Sequence, residues 1–202
     1  MVSTDTDVTD RRTDTDATTM SVPEPETVKN GRIPASPTIT IIAGSRSVTD
    51  MLPQRLIVRL LSTAVNLADF VPDVVVSGTA SGADMAGEQW ATSAGLPVAR
   101  FPAPWGDTDH PDAVVKHGDN GPYDARAGPR RNQQMAEFAA GAGDRGVLLA
   151  LQAFDAMGDP SSGTTDMIER GRDVLGDANV FVIPLGDHPP FHVLEEAYEG
   201  VL

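Results

Sequence analysis

Five short runs of apolar, mostly β-branched residues recur along the chain, and helical patterns separate most of them. This alternation restricts the fold strongly, because strands that are apolar throughout and lie between helices are typical of a parallel sheet covered on both faces. We therefore predict an α/β fold of three layers with a mainly parallel sheet of about five or more strands. The predicted strands are TITIIAG (38–44), DVVVSG (73–78), LPVARF (96–101), GVLLALQAF (146–154) and NVFVIPL (179–185).

The predicted helices lie between these strands and carry apolar residues at helical spacing. In the first helix the residues expected to face the core are Leu56, Leu60, Val65 and Leu67, and in the second it is Trp90. The four helical segments are Asp50 to Phe70, ADMAGEQWATSAG (83–95), Pro129 to Ala140 and Thr164 to Leu175.

The first 36 residues differ in character from the rest of the chain. They hold Asp-Thr alternation, as in TDTDVTD, and then PEPE, with almost no apolar periodicity. Residues 1–36 are therefore predicted to be a disordered acidic tail, either an interaction segment or a solvated extension. Residues 37–202 are long enough for a single domain with one core.

The balance of charge excludes some partners. The formal net charge of −14 opposes binding to the phosphates of DNA or RNA, so a nucleic-acid partner is disfavoured. Lysine occurs only at Lys29 and Lys116, which suits a salt-rich cytoplasm or a GC-rich genome. The chain has no cysteine, no signal-peptide pattern and no long apolar run, so we expect a cytoplasmic protein without a membrane partner.

The segment SGTASGAD (77–84) follows a predicted strand and precedes a helix. The carboxyl ends of parallel strands meet at one edge of a sheet, where a Gly-rich loop and a helix N-terminus can hold an anion. The segment is therefore either an anion-binding loop or an ordinary turn, with Ser81 as N-cap and Asp84 closing a capping box.

Three other segments belong to the same predicted edge. Gly44-Ser45-Arg46-Ser47 ends the first strand, where the guanidinium of Arg46 either holds a phosphate or pairs with an acid. Residues 161–165 (SSGTT) offer hydroxyl and N–H groups before a helix, or else cap it with Asp166 and Glu169 in box spacing. Arg130, Arg131 and Asn132 lie near another helix start, and we expect one arginine to bind an anionic ligand while the other forms an ion pair.

The connection over residues 103–128 is longer than usual and is interpreted as a lid over this edge. His110 and His117 lie in it without the tight spacing of metal ligands, so no metal is predicted. Trp105 either stacks on a base or anchors the loop to the core.

Five motifs together resemble the SLOG superfamily, which includes Smf/DprA and LONELY GUY proteins, and in particular its small YspA/YpsA-like branch of bacteria, archaea and their viruses. They are GSR (44–46), SGTASGAD (77–84), FPAPW (101–105), AGPRRNQQM (127–135) and GTTDM (163–167). The resemblance covers about Thr38 to Leu185. It implies a Rossmann-like sheet, a nucleotide or nucleotide-derived ligand and self-association, with no bound cofactor.

The expected ligand site combines these motifs, with phosphate at the loops after the first, second and fourth strands. Arg46 and Arg130 would neutralise its charge, Asp84 would accept from a ribose hydroxyl or hold the loop, and Asn132 would orient the ligand or an arginine. The predicted ligand-binding residues are Gly44, Ser45, Arg46, Ser77, Gly78, Thr79, Gly82, Asp84, Arg130, Asn132, Gly163 and Thr164.

The chain departs from the family pattern at positions that matter for chemistry. Thr79 stands where the branch usually has Gly, and Ser81 where a basic residue is common. LONELY GUY phosphoribohydrolases carry PGGxGTxxE, whereas this chain reads PSSGTTDM, with Met167 at the glutamate position and Asp166 one residue early. No catalytic residue is therefore assigned.

Three functions remain open from the sequence. The first is binding of a nucleotide or nucleotide derivative by a sensor or processing protein. The second is a phosphoribohydrolase or N-glycosidase, for which Asp84, Asp166 or Glu169 would supply acid or base catalysis. The third is handling of single-stranded DNA in the manner of DprA, which the acidity of the chain disfavours.

Overall fold

The structure, a computed structural model, describes residues 36–186. Outside this range lie residues 1–35 of the predicted tail and residues 187–202 of the predicted domain. No helix within it combines the length and apolar character needed to cross a bilayer. The strands are β1 (Thr38–Gly44), β2 (Val74–Ser77), β3 (Val98–Arg100), β4 (Val115–Gly118), β5 (Gly121–Asp124), β6 (Arg145–Ala153) and β7 (Val180–Leu185); the helices are α1 (Val48–Met51), α2 (Gln54–Leu67), α3 (Ala83–Ser93), α4 (Ala127–Gly141) and α5 (Ser162–Leu175), with a 3₁₀ turn at Asp177–Asn179.

Five parallel strands form the central sheet in the order β3-β2-β1-β6-β7. From β1 the chain moves outward through β2 to β3, and it then returns to place β6 and β7 on the other side of β1. Ile41 is in register with Val76 on one side and with Leu148 on the other. The predicted α/β, Rossmann-like architecture is confirmed, and all five predicted strands are present.

Helices cover both faces of this sheet. Successive residues of β1 point to opposite faces, so Ile42 packs in a core with Ile57 of α2, whereas Ile41 packs in a second core with Met135 of α4 and Met167 of α5. Each of these side chains is almost fully buried. Burial of one such side chain contributes about 1.5–3 kcal/mol. The one core expected from the sequence is therefore divided by the sheet into two clusters, which together fix the sheet between the helices.

The predicted helix Asp50 to Phe70 is divided into two. Pro53 disfavours helical backbone at the residue before it and is the N-cap of α2, so α1 ends at Met51. The assignment of Leu56 and Leu67 to the core was wrong, since they are 40% and 79% exposed. The buried stripe follows the period of about 3.6 residues from the true helix start: Ile57, Leu60, Leu61 and Val65.

Residues 103–128 contain regular structure that the sequence reading missed. β4 and β5 pair antiparallel as a two-stranded hairpin, with Lys116 opposite Tyr123. The strands are joined by the two-residue turn Asp119-Asn120, and Gly121 directly after it has φ +102, a value that glycine adopts without strain. The long connection predicted over residues 103–128 is therefore not a loop throughout: it holds a hairpin, and α4 begins at Ala127.

Candidate functional site

A cleft of about 750 Å³ opens at the carboxyl edge of the sheet. It lies where β1 and β6 end side by side, between Gly44–Ser47 on one wall and the first turn of α5 on another. The strand order reverses between β1 and β6, and crevices at such reversals are where open α/β sheets bind ligands. The start of α4 and Trp105 complete the lining.

Seven of the predicted ligand-binding residues line this cleft and five do not. Those in the lining are Gly44, Ser45, Arg46, Asp84, Asn132, Gly163 and Thr164. Those outside it are Ser77, Gly78, Thr79, Gly82 and Arg130.

Ser45 and Thr164 fasten the walls of the cleft to each other. Both are 2% exposed. Ser45 Oγ accepts a hydrogen bond from the N–H of Ala153 at 2.9 Å and lies 3.3 Å from Thr164 Oγ1. Because these hydroxyls are used inside the protein, the exposed polar side chains of the first loop are those of Arg46 and Ser47, and Arg46 carries the positive charge. Its guanidinium is available to a ligand.

The start of α3 is packed against the first loop. Its N-cap is Gly82 at φ +82, with no side-chain cap hydrogen bond, so the predicted Ser81 cap and Asp84 capping box are wrong. A Cβ at residue 82 would be 2.4 Å from the carbonyl oxygen of Arg46, so the backbone of the first loop occupies that space. Gly82 is required for this contact between two loops, which leaves no room there for a ligand.

Ser77 shapes the Gly-rich second loop from inside. Its Oγ donates to Glu88 Oε1 at 2.8 Å and accepts from the N–H of Thr79 at 3.1 Å. Glu88 is buried and forms an ion pair with Arg100 at 2.8 Å. This network holds Thr79 at φ +60, an uncommon value for a residue with a side chain.

Asp84, which is buried, and Arg131, which is partly buried, form an ion pair on the floor of the cleft. Arg131 Nη1 donates to Asp84 Oδ2 at 3.3 Å, and the N–H of Ala80 donates to the same oxygen at 3.2 Å. Burial raises the pKa of Asp84 above its ordinary value, against the opposing effect of Arg131. Burial also lowers the pKa of Arg131, although Asp84 acts against it. The Nε of Arg131 is buried without an acceptor among residues 36–186.

Arg130 points to a different partner from Arg131. Arg130 Nη2 donates to Asp124, which also accepts from the N–H groups of Val114 and Arg126. Burial acts to raise the pKa of Asp124, but these three donors outweigh it and hold the pKa below its ordinary value. Arg130 thus ties α4 to the hairpin, while Arg131, which was not among the predicted site residues, reaches the cleft.

The first turn of α5 presents its N-terminus to the cleft. Its N-cap, Ser161, makes no side-chain cap hydrogen bond, and a Cβ at Gly163 would meet nothing within 4 Å. Asn132 holds this turn, since its Nδ2 donates to Asp166 Oδ2 at 2.8 Å and to the carbonyl of Gly163 at 3.4 Å. Helix N-termini carry about half a positive charge, so this open turn favours an anion.

The predicted capping box of Asp166 and Glu169 does not form. Asp166 pairs with Asn132 and with Arg170, and Glu169 is exposed. Met167 is 1% exposed and belongs to the core. The residue at the family's glutamate position is therefore an apolar side chain that borders the cleft from the core, and Asp166 is the carboxylate that α5 contributes to the lining.

Two acidic residues that the sequence reading missed also line the cleft. Asp155 and Asp159 follow β6, and Asp155 Oδ1 accepts from the N–H groups of Met157 and Asp159. Asp-Ala-Met-Gly-Asp-Pro is a turn-forming sequence directly after a buried strand, which was the available signal. Across residues 36–186, no three His, Asp or Glu side chains are grouped as a metal ion would require.

A parallel, doubly wound α/β sheet with its cleft at the reversal of strand order defines a Rossmann-like domain. Residues 38–107, about one third of the chain, match the family model YAcAr, described as the YspA, cpYpsA-related SLOG family. The resemblance noted in the sequence is thus confirmed over residues 38–107, which are similar to the YspA/YpsA-related SLOG family.

Among solved structures, the DNA processing protein A (DprA) from Streptococcus pneumoniae is similar to this chain with a TM-score of 0.48 and 19% sequence identity. The alignment covers 80% of this chain and 56% of that one, so this chain spans just over half of the length of DprA. The search of curated proteins gave no significant match.

Proposed function

We propose that this protein binds a nucleotide or nucleotide-derived small molecule in the cleft between β1 and β6, as a sensor or processing protein. The observation that carries the proposal is the position of the cleft at the reversal of strand order, with a helix N-terminus and two arginines in its lining. Its volume of about 750 Å³ suits a ligand of nucleotide size, since small-molecule pockets measure roughly 300–1,000 Å³.

The phosphate is assigned to the first turn of α5. Gly163 leaves open space there, and the first N–H groups of a helix have no acceptor within the helix. Arg46 is exposed at the rim and Arg131 lies on the floor, so both can pair with phosphate oxygens.

The charges of the lining favour a ligand with few phosphates. Two guanidinium groups and the α5 N-terminus face four carboxylates, those of Asp84, Asp155, Asp159 and Asp166. Each additional phosphate would bring further negative charge close to these groups, at a cost in Coulomb energy. The same carboxylates accept hydrogen bonds, which suits the hydroxyl groups of a ribose.

Isothermal titration calorimetry of the full chain with AMP, ATP, ADP-ribose, NAD and cyclic dinucleotides tests the proposal. We expect at least one of these to bind, and AMP to bind more tightly than ATP. Arg46→Ala should weaken binding roughly tenfold, which corresponds to about 1.4 kcal/mol for one charge-assisted contact. The matched control is Arg59→Ala, an exposed arginine of α2 outside the cleft lining. No binding across the panel would overturn the proposal.

A second candidate function is cleavage of an N-glycosidic bond. It is favoured by the presence of two carboxyl groups, Asp84 and Asp166, in one cleft, with the pKa of Asp84 raised by burial as a general acid requires. Incubation with nucleoside monophosphates and chromatography for free base provides the test. Release of base that Asp166→Asn abolishes would support cleavage, and no release at high protein concentration would leave binding alone.

A further inference from the structure

Two large aromatic side chains, Trp105 and Phe154, line the cleft, and Trp105 is the more exposed of the two. Trp105 is 39% exposed, although tryptophan carries one of the largest apolar surfaces of any side chain. In contrast, Trp90 is 6% exposed and its Nε1 donates to Ser62 Oγ. The exposure of Trp105 is therefore specific to its position at the cleft.

Two contacts of the indole ring and one of the backbone hold Trp105 in a fixed position. Its ring meets the ring of Tyr123 edge-on, with centroids 6.4 Å apart and an interplanar angle of 67°. Its Cη2 lies against α4, since a Cβ at Gly128 would be only 2.9 Å from that atom. Its carbonyl accepts a hydrogen bond from the N–H of Asp124 at 2.8 Å. An aromatic surface fixed in this way loses little conformational entropy when a ligand binds.

We infer that Trp105 is a stacking platform for a planar aromatic ring of the ligand, such as a nucleobase. This inference rests on the proposed function and adds to it the ligand class and the residue that selects it. The phosphate end of the ligand is attracted by the α5 N-terminus, and the ring end stacks on Trp105 across the same cleft. A neutral aromatic ring also adds no negative charge beside the carboxylates of the lining.

The test compares AMP with ribose 5-phosphate, which has the same sugar phosphate but no nucleobase. One stacked base contributes about 1–3 kcal/mol, so Trp105→Leu should weaken AMP binding roughly 5- to 150-fold. The same substitution should leave the affinity for ribose 5-phosphate unchanged, and Trp105→Phe should retain most of the affinity for AMP.

Two further measurements test the inference even if Trp105→Leu does not fold. AMP should quench the tryptophan emission of the full chain, and this quenching should disappear in Trp105→Phe, whose remaining tryptophan is the buried Trp90. Gly128→Ala keeps Trp105 but displaces its ring from α4, so it should weaken AMP binding and spare ribose 5-phosphate.

The outcomes separate this inference from the function on which it rests. Equal affinity for AMP and ribose 5-phosphate, or AMP binding that Trp105→Leu does not change, overturns the stacking role and leaves phosphate binding in place. Absence of binding by both probes and by the whole nucleotide panel overturns the two proposals together.

Discussion

The guanidinium of Arg131 lies directly over the backbone of Gly78. A Cβ at residue 78 would be 1.4 Å from Arg131 Nη1 and 2.8 Å from Asp84 Oδ2. The glycine after β2 therefore makes room for the protein's own ion pair. The Gly-rich loop therefore contributes to the cleft indirectly, because Gly78 leaves room for the guanidinium of Arg131 on the cleft floor.

Gly78→Ala should displace Arg131 from Asp84 and destabilise the protein. The loss of a contact to a buried carboxylate costs about 1–3 kcal/mol, which urea unfolding would detect. Gly163→Ala is the matched control, because a Cβ there meets nothing within 4 Å and the free energy of unfolding should be unchanged or slightly raised. Equal stability of the two variants would contradict the role assigned to Gly78.

Asp84→Asn should gain stability relative to the wild type as the pH rises. The pKa of folded Asp84 is raised above 3.8 by burial, so the folded state binds this proton more tightly than the unfolded state. The contribution of Asp84 to stability is therefore full below 3.8 and falls as the pH rises through the raised pKa. Urea titrations of both proteins at a series of pH values measure this difference, and a difference independent of pH would refute the assignment.

Asp124→Asn should show the opposite pH dependence. The pKa of folded Asp124 is lowered from 3.8, so its contribution is present above that pH and is lost as the pH falls through the lowered pKa. At neutral pH the substitution should also loosen the hairpin, because Asp124 joins Val114, Arg126 and Arg130. Tryptic cleavage after the exposed Lys116 should become faster, whereas an unchanged rate would show that the hairpin is held by other contacts.

Ser45→Ala should destabilise the protein by about 1–3 kcal/mol, because it removes the acceptor of the Ala153 N–H in a buried position. Urea unfolding of Ser93→Ala provides the comparison, since the Ser93 hydroxyl is exposed and bonds only within its own helix to Gln89. If the two variants unfold at the same urea concentration, Ser45 does not fasten the walls of the cleft as the geometry indicates.

The sequence allowed the sheet to be predicted because most of its strands, above all β1, β2 and β6, are buried on both faces. Such strands read as unbroken apolar runs, and β1, β2, β3, β6 and β7 all lie within the predicted runs or within one residue of them. The position of the site followed from parallel pairing, which brings the strand ends to one edge. The hairpin was missed although Asn120-Gly121 is a typical turn signal, because its strands are short and mostly exposed.

The details of the site depended on contacts that local sequence does not encode. Arg130 and Arg131 are neighbours on α4, and a helix turns by about 100° per residue, so they point in different directions. Which of them reaches the cleft depends on the docking of α4 against β6 and α5. Gly78 and Gly82 read alike in the sequence, yet Arg131 fills the space beside the first and the Arg46 backbone fills the space beside the second.

The pairing of β1 with β6 joins segments roughly a hundred residues apart and brings the two main walls of the cleft together. Any opening that detaches β6 therefore separates Arg46 from the α5 turn in the same event. Ligand affinity and stability against unfolding therefore both depend on the pairing of β1 with β6. A ligand that contacts both walls of the cleft should slow hydrogen exchange of the amides of both strands together.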